Sequence, residues 1–154
     1  MANNRNVFRA LADGLQPAVV QALSEAGEDI CDGMRRRLQA GGHVDTGELL
    51  DSIRYEIDQA KGVTDMRIYA DAESDDGQMY AEFIENGTGA AHGVPGGREG
   101  TWRYQDRQGN WHTTDGMDAD PFIRPSVEEV LPRLGEIVSQ TVYDLAKYGK
   151  GANR

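Results

Sequence analysis

The chain is poor in the residues that staple, anchor or catalyse. One cysteine, Cys31, among 154 residues excludes an internal disulfide framework and fits a reducing compartment. No stretch holds the roughly 18 consecutive apolar residues that a membrane span needs, and the polar start MANNRN predicts no signal peptide. The three histidines, His43, His92 and His112, have no short paired spacing with one another or with Cys31, so no zinc site is expected. Asp71, Glu73, Asp75 and Asp76 cluster, yet they lack the ligand periodicity and glycine position of a calcium loop. Neither a nucleophile elbow nor a Ser-His-Asp grouping is present. Gly87, Gly89, Gly96 and Gly97 do not follow a strand and open a helix, as a nucleotide fingerprint requires. The expectation is a domain without catalytic residues, metal or cofactor, and so not an enzyme.

Basic residues are also scarce where they would matter for nucleic acid. The net charge of −10 is concentrated in residues 41–87, with 12 acids against 3 bases. Residues 1–40 and 119–154 each balance five acids with five bases. A face that grips phosphates needs the opposite sign. Acidic walls would instead let DNA slide past without specific binding. An inhibitor whose acidic face mimics DNA is an alternative of another class, and a solvated, solubilising face is the plainest reading.

The length suits one ordinary domain with a real core. Residues 1–14 read as a flexible polar arm, with Val7, Phe8 and Leu11 as anchors that order against a partner. From Pro17 to Ala40 a helix is predicted. Leu15, Val19, Ala22, Ala26, Ile30, Met34 and Leu38 form one stripe, Pro17 lies in the first turn, Arg35-Arg36-Arg37 in the last, and Gly41-Gly42 end it. The arginine triplet reads as helix-end complement rather than nucleic-acid patch, because consecutive helical residues point in different directions. Alternation from Leu49 to Asp58 predicts a strand with Ile53, Tyr55 and Ile57 inward. A turn at Lys61-Gly62 leads to a second strand through Met66, Ile68 and Ala70, followed by an acidic loop over residues 73–77. Residues 78–85 favour a short helix.

Residues 89–118 form a Gly-rich insert whose Trp102, Tyr104 and Trp111 flank a glycine turn, predicting an exposed aromatic hairpin. Large aromatics exposed in this way fit a satellite core or an anchor for an adjacent subunit, and the interface reading is preferred. From Pro125 a second amphipathic helix runs to Tyr148, with Pro132 expected to kink or restart it, and Gly149-Lys-Gly151 opens a disordered tail over 149–154. The fold class is α+β: long N-terminal helix, small antiparallel sheet, aromatic Gly-rich hairpin insert and C-terminal helix, as a single domain over 15–148.

Three stretches stand out as backbone punctuation: Asp45-Thr46-Gly47 through Ile53, Tyr80-Ala81 leading to Glu85-Asn86-Gly87-Thr88, and Asp120-Pro121-Phe122-Ile123-Arg124-Pro125. In this order, with the aromatic insert between the last two, the chain resembles the tail-component family of long-tailed bacteriophages, the gene-product-ten-like neck or tail-completion proteins. The resemblance covers about residues 15–148. Asn86 stands where an aromatic is often found, and Ser126 where Ala is usual. The resemblance implies a non-enzymatic virion protein, forming a hexameric ring at the head–tail junction. Its implied partners are the head connector or stopper and the tail tube; a tail-terminator that caps the tube is the nearest alternative. Thr46, Gly47, Glu85, Gly87, Thr88, Pro121, Phe122, Arg124 and Pro125 are the expected structural motif residues. Val7, Phe8, Trp102, Tyr104 and Trp111 are the expected contacts.

Overall fold

The four-residue spacing of Ala22, Ala26, Ile30, Met34 and Leu38 places all five on one helical face, and all five are buried in a computed structural model of the chain. The structure describes residues 4–60, 62–73, 79–106 and 108–148, and the side chains of 4–14, 145 and 148 fall outside that description. The expected roles of the Val7 and Phe8 side chains, of Lys61 in a turn, of residues 74–77 in an acidic loop and of the tail 149–154 therefore lie outside the described residues.

Helix α1 runs Asn4–Ala40, well before the expected start, so Pro17 lies inside the helix instead of in its first turn. Its missing N–H removes one bond, to the carbonyl of Asp13, at a cost of about 3 kcal/mol. Good helix formers on both sides, Arg9, Ala10, Leu11, Ala12 and Leu15 before it and Ala18, Gln21, Ala22 and Leu23 after it, favour continuing the helix across that gap. The C-terminus closes as expected at the glycines. Gly42 takes φ +74°, Gly42 N–H donates to the Gln39 carbonyl at 3.2 Å, and His43 N–H to that of Leu38 at 3.0 Å. This paired closure with glycine in the left-handed position satisfies carbonyls that a helix end otherwise leaves open.

Helix α2 (Glu48–Ser52) occupies the start of what alternation alone reads as strand. Gly47, at φ +88°, turns the chain into it, and Asp51 N–H closes the turn on the Gly47 carbonyl at 3.0 Å. Strand β1 (Ile53–Ala60) then alternates as expected, with Ile53, Tyr55 and Ile57 inward of Arg54, Glu56 and Asp58. It pairs with β2 (Val63–Ala70) in a two-stranded sheet. Helix α3 (Tyr80–Asn86), a 3-10 turn over Ala90–His92, strands β3 (Trp102–Gln105) and β4 (Trp111–Thr114), and helix α4 (Ile123–Tyr148) complete the order. The architecture is α+β, with the short helix at 80–86 and the aromatic hairpin where the sequence puts them.

The contacts divide the chain into two compact units. The first comprises Met1–Asp32, Arg54–Ile68 and Ser126–Arg154. In it the Tyr55 ring lies against α1 at Gly27, where an added Cβ would come within 2.6 Å of the ring, and Tyr55 Oη hydrogen-bonds Ser24 Oγ at 2.8 Å. Arg133 on α4 donates to Asp29 on α1 at 2.7 Å. Helix α4 continues through Pro132. Past Ser126, which is buried, none of its described side chains is fully buried, and Leu131, Val142 and Tyr143 are exposed. The second unit, Gly33–Ile53 with Tyr69–Pro125, holds the core residues Met34, Leu38, Leu49, Ile53, Ala72, Ala81, Ile84 and Phe122. Arg35, from the arginine triplet, donates to the Ile53 carbonyl at 2.6 Å, within this unit. One member of the triplet thus braces the α2–β1 junction.

Candidate functional site

The start of α4 poses a local problem. Its first helical residue is Ile123, and the residue before it, Phe122, has no side-chain oxygen to accept the free N–H groups of the first turn. Glu85, at the end of α3, supplies the acceptor. Its carboxylate takes the N–H of Phe122 and of Ile123, both at 2.8 Å on Oε2, and that of Arg124 at 3.1 Å on Oε1. The next residue is Pro125, which has no N–H to satisfy. Glu85 is only 8% exposed. A buried carboxylate is tolerable here because three donors and the positive end of a helix surround it. The Arg124 guanidinium lies 3.9 Å away and is mostly exposed, so it adds little.

Three residues beyond Glu85 the chain crosses itself. Thr88 and Met117 form an antiparallel bridge, Thr88 N–H to Met117 O at 2.9 Å and Met117 N–H to Thr88 O at 3.0 Å. Asp120 N–H then donates to the Ile84 carbonyl at 2.8 Å. The crossing requires glycine. A Cβ on Gly87, at φ +73°, would lie 2.7 Å from Met117 O and 2.8 Å from Ala119 N. Cβ atoms on Gly89 or Gly116 would overlap the backbone carbonyls of Asp115 and Thr88. Across the same base His92 reaches two carboxylates, Asp118 from Nδ1 at 2.7 Å and Asp115 from Nε2 at 3.3 Å. The bond to Asp118, then that to Asp115, raises the His92 pKa above the ordinary 6.5.

From this base projects the β3–β4 hairpin, in the register Trp102↔Thr114, Tyr104↔His112, Gln105↔Trp111. Strand alternation separates the three aromatics. Trp102 and Tyr104 share one face, where Tyr104 stacks on His112 with ring centroids 5.2 Å apart. Trp111 is on the other, with the Arg103 guanidinium 4.8 Å above its ring. His112 is a strand residue, paired with Tyr104. Tyr104 is 49% exposed and Trp111 60%. The hairpin loop is held by Asp106, whose carboxylate accepts from Asn110 N–H at 2.7 Å and bonds His112 Nε2 at 2.8 Å. The His112 contact, then the Asn110 bonds, hold the Asp106 carboxyl down at about 2. Trp102 and Tyr104 face an open groove of about 930 Å³ shared with Phe83, Val94 and Met117.

The second unit therefore gathers the expected motif residues. Thr46 and Gly47 line a small recess of about 100 Å³ with Tyr80 and Ile84. His43 reaches Asp120, beside Pro121, at 2.9 Å. Glu85, Gly87, Thr88, Phe122, Arg124 and Pro125 make the joint just described. Trp102, Tyr104 and Trp111 share the hairpin but form no single patch. Sequence reasoning missed the partners Asp106, Asp115 and Asp118 and the burial of Ser126. It also did not give Glu85 its capping role, although an apolar residue at the helix cap was a usable signal that the acceptor comes from elsewhere.

In class, this is an α+β chain whose second unit carries a hydrogen-bonded joint and an aromatic hairpin with exposed rings. The chain belongs to the HK97-gp10-like family of bacteriophage tail components, whose profile matches residues 5–87. The match thus spans α1 through the Glu85-Asn86-Gly87 corner and stops before the insert and α4. No curated protein and no solved structure matches the chain.

Proposed function

We propose that the chain is a structural, non-catalytic virion protein that assembles with copies of itself into a closed ring at the head–tail junction. The ring, a hexamer on the family resemblance, joins the head connector or stopper to the tail tube. The observation that carries this reading is the insert itself: a braced base presenting exposed Tyr104 and Trp111 on opposite faces of one hairpin. A cyclic ring needs two different complementary surfaces on each copy. A two-faced hairpin and the exposed Leu131, Val142 and Tyr143 of α4 offer apolar surface for such contacts. The excess of acids over residues 41–87 supports passage of viral DNA without specific binding.

A DNA-mimicking inhibitor would need carboxylates free to stand in rows. Within the acid-rich residues 41–87 Glu85 is committed to backbone N–H groups, and beyond them Asp106, Asp115, Asp118 and Asp120 are bonded to a backbone N–H or to histidines, so these five do not stand free. The deciding experiment is electron microscopy of particles made by a phage lacking this chain. Full heads beside free tails of normal length support joining. Overlong tubes assign the chain to capping the tail tube, and joined particles overturn both readings.

A further inference from the structure

We propose that His92 is a proton-operated clasp on the base of the insert, closed on both sides while the ring is an imidazolium and held by a single bond when it loses a proton. Both ring nitrogens face carboxylate oxygens, Nδ1 that of Asp118 at 2.7 Å and Nε2 that of Asp115 at 3.3 Å. A neutral imidazole carries one N–H, so it can donate to one of these carboxylates only. Its other nitrogen would then direct a lone pair at a carboxylate oxygen. Only the imidazolium satisfies both sides.

One edge of the ring lies against the returning backbone. Its Cδ2 lies against Gly116, where even an added Cβ would be 2.9 Å from it. Asp115 and Asp118 flank Met117, whose N–H and carbonyl make the ladder to Thr88. His92 belongs to the outgoing 3-10 turn and the two aspartates to the returning segment, so the imidazolium ties both legs of the insert together. Among the described residues those two aspartates are the charged groups found to act on the ring. Among the described residues the other two histidines differ: His43 has one carboxylate partner, Asp120, and His112 has one, Asp106.

The direction of the pH effect follows from linkage. The His92 pKa is raised by its bonds to Asp118 and Asp115 above the ordinary 6.5. The stabilisation it brings is complete below 6.5 and is lost as pH rises through the folded-state value. The insert base is therefore tightest in mildly acidic solution and loosens as pH rises through that raised value. This inference concerns the isolated chain and stands whether or not the ring reading holds.

The test is NMR on the full chain between pH 5 and 9. Ring nitrogen shifts should show both His92 nitrogens protonated at pH 6, with a midpoint above 6.5. Exchange of the Ala90 and Met117 amides, corrected for intrinsic rates, should speed up threefold to roughly tenfold across that midpoint, as expected for losing one solvent-exposed hydrogen bond of ordinary strength. His92→Gln should abolish the pH step, and Asp115→Asn, which removes one bond only, should lower the midpoint. A His92 midpoint at or below 6.5, or amide exchange indifferent to its titration, would overturn the proposal.

Discussion

Replacing Glu85 by Ala removes the acceptor for three backbone donors at once. The Phe122 N–H is buried, and stranding it costs about 1–3 kcal/mol. The Ile123 and Arg124 N–H groups are part-buried and can recover some hydration, so each costs about half as much. The total is about 2–6 kcal/mol, at or above the usual range of about 0.5–2 kcal/mol for a lost helix cap, because this cap serves three donors in a sheltered site. For a chain of this size that lowers Tm by roughly 4–24 °C. Glu85→Gln keeps one acceptor oxygen and loses the charge, so about half the effect is expected. Arg124→Ala should cost less than about 0.5 kcal/mol, its guanidinium being exposed and 3.9 Å away. Urea unfolding of the three variants gives the order directly. If Glu85→Ala falls within about 0.5 kcal/mol of the wild type, the carboxylate does not hold the helix start.

Gly87→Ala places a Cβ 2.7 Å from Met117 O at a positive φ; a loss of about 3 kcal/mol or more is expected in the same assay, whereas Gly93→Ala has open space and should cost only the strain of its φ, about 1–2 kcal/mol. The Asp106 carboxyl is held at about 2, below its ordinary 3.8, so its hold on the hairpin loop is full above 3.8 and fades as pH falls toward 2. Amide shifts of Gly109 and Asn110 should follow that window, and Asp106→Asn should erase it. Tyr104→Ala and Trp111→Ala remove exposed rings, so each should shift stability by less than about 1 kcal/mol while weakening self-association in sedimentation experiments.

Local chemistry explains what could be read from the sequence. The stripe from Ala22 to Leu38, the glycine stop at 41–42, the aromatic hairpin and the short helix at 80–86 follow from spacing within a few residues. The extent of α1 did not, because a proline weighs as a start signal locally while the helix formers before it decide the outcome. Leu49 and Leu50 sit in a strand-like alternation, yet Gly47 turns them into a helical turn. The joints were least legible. Glu85 meets its donors 37–39 residues later, and His92 meets its aspartates 23 and 26 residues away. Glu85 is a buried acceptor and Asp115 and Asp118 are exposed ones, and in each case only the fold brings the donor near.

The central claim is that the braced insert is the docking element of a tail component. Thr88 and Met117 are hydrogen-bonded neighbours, so residues 89–116 can be exchanged for a short Asn-Gly turn without opening the fold. The most direct measurement supplies this shortened chain to a phage lacking its own copy and counts joined particles by electron microscopy. The account predicts a folded protein, with Glu85 still capping α4, alongside heads and tails that stay apart. Particles joined at wild-type frequency would contradict it.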